Sequence, residues 1–509
     1  MGRSQVLNAG RRIRDGGWRG GMENNPKLLK NKLYWVGILY FAEGFPLGVF
    51  YDVFPVHLRQ QGVDLWQIGF MSLLGLAWTL KFLWAPAVDY VRHHRRWIFL
   101  MDVLMGAVML VFAVLLDFGP WVWLAIGLFT IFSATSDIAI DAYTIEMLNK
   151  DELGLANGIR NGMYRVGMLA SGFILVLADW LSWSATYLAG ALILVACGIV
   201  CLMAPPEQSY QTRSERSVLA EFRMIMRYPY ALALIFVLGV IGFGLVDMKL
   251  EISGDRPYLW PALASIGIAV VAGSHYWTGR RRTSENSVRN DLNEGPMFGA
   301  FFELIQRPYI IPVIIFILIY KLADTSMGFM VKPFWVDAGF SATEIGMVSV
   351  NIGLGLSIVG GLVGGWFTDR FGIFKGIWVL GLLQALSNLG YAGVAAVIPP
   401  PQEGVAMALQ FKAMMYGASV LESFTGGLGS AAFLAFLMAI VSKKRSASEY
   451  ALLSSIFAFS RSIAGWAGGF GAEAMGYASY FTLTFFLAFP AYLLLPWVKR
   501  MLETPRDWD

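Results

Sequence analysis

Apolar runs near the ~20 residues that cross a bilayer recur along the whole chain, separated by short polar stretches. They predict helices at 34–57, 66–88, 97–117, 121–143, 155–178, 183–203, 230–248, 258–277, 309–331, 342–366, 374–398, 415–441, 450–472 and 477–498. The fold class read from this pattern is an all-α membrane protein of about 14 helices. Two longer polar stretches, 205–230 and 278–309, divide the series. Each ends in an aromatic-rich amphipathic segment, closing on Arg227-Tyr228-Pro229-Tyr230 or Arg307-Pro308-Tyr309, that is expected to lie on the inner membrane surface. Between them falls one extra helix pair. The expected organisation is a basic tail (1–33), a six-helix bundle (34–204), linkers carrying the two additional helices (205–307), a second six-helix bundle (308–500) and a short tail (501–509).

The two sixes resemble each other. "GVDLWQIGFMS" (62–72) matches "GFSATEIGMVS" (339–349), and "GIRNGMYRVGMLASGF" (158–173) parallels "SSIFAFSRSIAGWAGG" (454–469), aligning Arg165 with Arg461 and Gly172 with Gly468. A repeat of six helices points to a two-bundle transporter with its site between the bundles. Channels and membrane enzymes do not predict it.

Composition supports the membrane reading: 15% of residues are charged and 57% hydrophobic, where soluble chains carry about 25% charge. The net charge of +4 is not a nucleic-acid signal, because the basic residues follow topology. Eight Lys/Arg fall in 1–33, and clusters follow at Arg92, Arg95 and Arg96, at Arg280 to Arg282, and at Lys443, Lys444 and Arg445. The alternate loops are nearly bare, with Arg59, Lys249, Arg256, Lys332 and Lys412 spread among them. The positive-inside rule then puts both termini in the cytoplasm. No secretory signal is expected, and Met22 offers an alternative start. Cys197 and Cys201, alone in an apolar helix, make no metal or disulfide framework. Neither a metal nor a cofactor is expected. The glycines of 351–366 read as helix packing rather than a phosphate cradle.

A charge at a bilayer centre costs roughly 2.5–3.5 kcal/mol even on the lenient insertion scale, so interior charges normally face a cavity. Here they fall on first-helix positions (Glu43, Asp52, Lys321, Asp324), fourth-helix positions (Asp137, Asp141, Glu422) and fifth-helix positions (Arg165, Arg461), with Lys81 on the second helix. Asp102 and Asp117 stand near the ends of a helix expected to face lipid. Asp137 and Asp141 share a helix face at i, i+4. Their distance from the following turn makes Arg165 and Arg160 their expected partners, whether to fasten two helices or to serve transport. Arg461 has no matching acids, so Glu422 or a substrate anion would neutralise it. Gly44 and Pro46 suggest a break that lines a cavity with carbonyls. A carboxyl held from water there, Glu43 or Asp52, can carry a proton or simply bond to backbone; Asp137 and Asp141 are the other coupling candidates. Arg165, Arg461, Glu422, Lys321, Asp324 and Asn351 are the substrate-binding candidates. The four histidines, His57, His93, His94 and His275, read as interfacial, as does Glu146. No residue reads as catalytic.

"WAPAVDYVRHHRR" and "GGWFTDRFG" look like the major facilitator cytoplasmic-loop motif, with Asp89, Arg95, Asp369 and Arg370 in the role of gate residues that charge-lock helices. "LKFLWAPAVD", "SATSDIAIDAY", "YRVGMLASG", "YKLADT", "LQALSNLGY", "ESFTGGLGSAAF" and "YALLSSIFAFSR" together resemble the AmpG-type muropeptide permeases and related acetyl-CoA transporters, over some 400 residues. The resemblance implies a major facilitator fold and proton-driven uptake of anhydro-muropeptides, for cell-wall recycling, through the bacterial inner membrane. The implied partners are an anionic sugar-peptide, protons and the lipid bilayer, and a monomer is expected. A carrier of a coenzyme A thioester or peptide would want more basic residues at the cytoplasmic vestibule. The other class is a non-transporting membrane protein, an assembly factor or an acyltransferase; the latter would need a buried histidine or nucleophile pair that the sequence lacks.

Overall fold

The computed structural model describes residues 26–81, 84–85, 88, 93–115, 121–148, 153–206, 304, 307–401, 407–441 and 446–503. The inserted pair expected at 230–248 and 258–277, the tail up to residue 25, Asp89 and the basic loop 442–445 lie outside the described residues. The chain separates into two compact units. The first comprises Met1–Ser209, Pro312–Ile440 and Leu453–Thr504; the second comprises Tyr210–Ile311, Val441–Leu452 and Pro505–Asp509. Within the second unit Arg307 and Glu449 form a buried ion pair at 2.5 Å.

All regular structure among the described residues is helical. The helices are α1 (Lys32–Gln60), α2 (Leu65–Leu80), α3 (His94–Val114), α4 (Trp121–Met147), α5 (Leu153–Trp180), α6 (Trp183–Leu202), α7 (Ile310–Asp337), α8 (Ala342–Phe371), α9 (Ile373–Val397), α10 (Leu409–Ala439) and α11 (Ser446–Leu487). Twelve of the fourteen expected segments fall on described residues, and helix occupies each of them. Nine helices among the described residues are long and apolar enough to cross a membrane. The last two expected helices are the limbs of α11, which breaks at Gly476 with φ 75° and ψ 161°, a conformation that favours glycine.

The break expected at Gly44 and Pro46 falls elsewhere. The helix runs through Pro46 and turns π-helical at Val49–Val53, around Asp52. Proline removes one i→i−4 bond, and a wider turn just after it absorbs the misfit. Gly44 serves packing instead: a Cβ there would collide with the Tyr164 carbonyl of α5. Gly360 on α8 likewise lies against the Phe424 carbonyl of α10. In lipid no hydrophobic force drives helix on helix, so close backbone approach through small residues supplies the attraction.

At the end of the first unit where α1 turns into α2, contacts across the sequence repeat are reciprocal. The α2 glycine Gly69 meets the α11 backbone at Gly469, and its repeat equivalent Gly346 on α8 meets the Gly172 carbonyl of α5. The first turn of α2 offers the Trp66 N–H to the Glu473 carboxylate (3.0 Å), and the first turn of α8 offers the Thr343 N–H to Asp179 (2.5 Å). Each carboxylate satisfies an orphan N–H at the positive end of a helix from the other half. Arg59 and Tyr477 both donate to Asp337, at 2.5 and 2.6 Å, and close the same end.

Gly44→Ala and Gly360→Ala should each overpack a helix pair, at a cost of about 1–3 kcal/mol, and lower the thermal midpoint of the purified protein. Gly393→Ala, where a Cβ meets nothing within 4 Å, should leave it unchanged. Equal midpoints for all three would mean that the helix pairs are not this close.

Candidate functional site

A cavity of about 410 Å³ opens beside the π-helical turn of α1. Tyr51, Asp52 and Met168 line it from α1 and α5, and Lys321, Asp324, Thr325, Gly328, Phe329 and Lys332 from α7. Glu422 and Ser430 of α10 and Phe457 and Arg461 of α11 complete it. An adjoining hollow of about 320 Å³ shares Asp52, Asp324, Glu422 and Arg461 and adds Ser349, Gly353 and Ser357 from α8.

Most of the cavity's charge is neutralised within the chain. Lys332 approaches Asp52 at 3.5 Å, joining α7 to α1, and donates to Ser349 Oγ at 2.7 Å. The ammonium of Lys321 donates to Gln384 Oε1 (2.7 Å), Ser430 Oγ (3.0 Å) and Asp324 Oδ2 (3.3 Å). Those three bonds use every hydrogen it has. Arg461 differs. Its guanidinium lies over the Tyr51 ring, 4.1 Å from the centroid, a favourable cation–π placement, and it makes no ion pair among the described residues. Among the described residues, the carboxylate of its expected protein partner, Glu422, accepts from Ser423 Oγ at 3.3 Å.

A second charged cluster occupies α1, α2, α4 and α5. Lys81 at the end of α2 sits 3.8 Å from Asp137 and 3.6 Å from Asp141. Arg160 reaches Asp141 at 3.1 Å and covers the Tyr40 ring, while Tyr40 donates to Asp141 at 2.8 Å. Glu43 feels all four of these charges. One oxygen of Glu43 and one of Asp137 are buried without a hydrogen-bond donor.

The expected pair of Asp137 with Arg165 is corrected to Asp137 with Lys81. Arg165 stands at the right height but five residues past Arg160, roughly 140° around the helix at 3.6 residues per turn. Arg165 therefore points away, makes no ion pair among the described residues and does not line the cavity. Asn351 is also corrected. It packs against Gly172 with its Oδ1 buried and unpartnered, and is absent from the cavity wall. Asp369 and Arg370 are exposed at the end of α8 and lock nothing among the described residues, whereas Arg95 donates to the Leu202 and Ala204 carbonyls at the end of α6.

Three further readings change. Asp102 is not a terminal acid but fully buried, accepting from Ser136 Oγ at 3.2 Å. His57 is buried, paired with the Tyr187 hydroxyl at 2.6 Å and stacked on Trp183; His94 is buried beside Glu146 at 3.3 Å. Lys332, read as a loop residue, belongs to the cavity. Its signal was present in the sequence: Lys321, Asp324, Thr325, Gly328 and Lys332 follow i, i+3, i+4, i+7 and i+11, one polar stripe of a helix.

An all-helical chain with an internal repeat, closed at one end by reciprocal contacts and holding a charged cavity among its helices, defines a membrane transporter rather than an enzyme. The chain belongs to the Major Facilitator Superfamily, whose sequence model matches residues 36–409. It is 27% identical over 482 residues to the anhydromuropeptide permease of Escherichia coli strain K12, covering 93% of this chain and 80% of that protein. Among solved structures, an auto-inhibited POT family peptide transporter superposes with a TM-score of 0.62 at 14% identity, covering 94% of this chain and 98% of that one. The nucleoside transporter NupG does so with a TM-score of 0.61 at 13% identity, covering 93% and 100%. The resemblance to AmpG-type permeases therefore stands, and the protein is a multi-pass secondary transporter of a small molecule.

If Lys81 holds Asp137 and Asp141 together, Lys81→Met should strand Asp137, while Asp141 keeps Arg160 and Tyr40, and destabilise the protein strongly. Adding Asp137→Asn should recover part of that loss, read as a positive coupling in a thermal double-mutant cycle. Strict additivity would mean that the charges do not interact.

Proposed function

We propose that the protein imports anhydro-muropeptides across the bacterial cytoplasmic membrane, driven by protons, for cell-wall recycling. The observation that carries the cargo reading is Arg461. A guanidinium facing the cavity, seated on Tyr51 and free of ion pairs among the described residues, suits the carboxylate of an incoming sugar-peptide. The aromatic side chains Phe329 and Phe457 line the same cavity and suit the apolar face of a sugar ring. The matched permease of Escherichia coli carries that cargo in its name.

Proton coupling is assigned to the second cluster. Three carboxylates, Glu43, Asp137 and Asp141, face two cations, Lys81 and Arg160, so the group is one proton short of neutral when all are ionised. Asp141 is occupied by Arg160, Lys81 and Tyr40. Glu43 and Asp137, with their unpartnered oxygens, are the carriers we favour. In this arrangement both termini are cytoplasmic, the two six-helix bundles (34–204 and 308–500) rock about the cavity as a monomer, and the 205–307 segment is an addition to them.

Vesicles containing the protein should accumulate labelled anhydro-muropeptide only with an inward proton gradient. Glu43→Gln should abolish accumulation while leaving counterflow down a substrate gradient. Undiminished accumulation in both Glu43→Gln and Asp137→Asn would overturn the coupling assignment. For topology, Lys443→Cys should resist membrane-impermeant thiol reagents in intact cells, and labelling from outside would reverse the orientation.

A further inference from the structure

The cavity carries charge of both signs in equal number. Asp52, Asp324 and Glu422 supply three acids, and Lys321, Lys332 and Arg461 three bases. A well built for anions alone would have an excess of bases, because the potential of a recess follows the sum of its charges. The internal ion pairs, Lys332 with Asp52 and Lys321 with Asp324, remove two of each. One base and one acid remain: Arg461 and Glu422.

These two do not neutralise each other, for no ion pair within 4 Å joins them. Arg461 spends none of its five N–H groups on a hydrogen bond to the described residues, and its guanidinium lies over the Tyr51 ring with its N–H edge uncommitted. Among the described residues the Glu422 carboxylate accepts one bond, from its own neighbour Ser423, leaving most of its lone-pair sites unused. Both also line the adjoining hollow, so a ligand filling the space meets both. An uncompensated charge in a membrane interior calls for a counter-charge, and here two opposite ones are required at separate points.

We propose that the cargo is a zwitterion, whose carboxylate is taken by Arg461 and whose protonated amine is taken by Glu422. This rests on reading the cavity as the cargo site, and it narrows the cargo class: the amine-bearing peptide part of a sugar-peptide is gripped, not only its acid. A purely anionic sugar acid or an N-blocked peptide leaves Glu422 without its partner and binds less well.

The test compares ligands that differ in one charge. Binding to the purified protein is measured for an anhydro-muropeptide ending in a diamino acid, for its N-acetylated form and for its carboxyl-amidated form. The same three forms of a simple tripeptide make a second set. The free-amine form should bind at least about tenfold more tightly than the N-acetylated form, the size expected of a charge-assisted hydrogen bond. In Glu422→Gln that ratio should fall towards one, and in Glu422→Asp part of it should remain; each variant is checked for a single monodisperse species. Arg461→Gln should instead shrink the advantage of the free acid over the amide. If the preference for the free amine appears only with the tripeptides, the zwitterion site stands and the muropeptide cargo falls. If N-acetylated and free-amine muropeptides bind equally, and the tripeptides show no amine preference either, the zwitterion site falls while the muropeptide cargo stands. A preference that survives unchanged in Glu422→Gln also overturns the assignment.

Discussion

Charge inside an apolar slab has to find its opposite within the protein, because no water is there to solvate it. That requirement explains where the helices of this transporter touch through polar groups. Lys332 draws Asp52 of α1 towards α7, and Lys321 ties α7 to Gln384 of α9 and Ser430 of α10. Lys81 does the same for α2 and α4. Where the pairing is complete the side chains hold helices together. Where it is incomplete, at Arg461 and Glu422 and at the uncovered oxygens of Glu43 and Asp137, the chain retains charge that a mobile species can neutralise. On the proposed reading, structural and transport roles differ by whether a charge's partner is built in.

The closed end of the first unit is held differently. Glu473 and Asp179 are exposed carboxylates set on the first turns of α2 and α8. Bonds of this kind contribute modestly because water competes for both partners. Weak, reciprocal closures of this kind can be made and broken at little cost. The glycine contacts beneath them, Gly69 with Gly469 and Gly346 with Gly172, gain from shape alone and separate without stranding a charge. Gly69 and Gly346, and Trp66 and Thr343, are equivalents in the sequence repeat, so the same two positions of each half enter the closure.

Among the described residues, helix position followed from apolar run length, because a span must satisfy its backbone internally and be about as long as the bilayer is thick. The repeat was visible in matched glycines, and the interior charges were visible as violations of an apolar background. What resisted reading was rotation about each helix axis. Arg165 was assigned by height and fails by azimuth. Asn351 lies on a cavity-bearing helix yet packs against Gly172. Asp102, close to a helix end, turned out fully buried, because α6 presents Gly198 beside it and leaves room for a carboxyl.

The sequence by itself therefore determined the environment, the helices, the two-fold repeat, the family and the list of charges that needed a purpose. All of these depend on local composition and spacing, and each can be read without knowing any neighbour. Only the tertiary structure decided which charges meet. A pairing distance of 3–4 Å depends on how two helices are rotated and how closely their glycines let them approach, and neither is encoded within a single helix. Lys81 became the partner of Asp137, and Arg461 and Glu422 became the two charges left unpaired, through contacts between residues hundreds of positions apart or on different helices, where spacing along the chain carries no information.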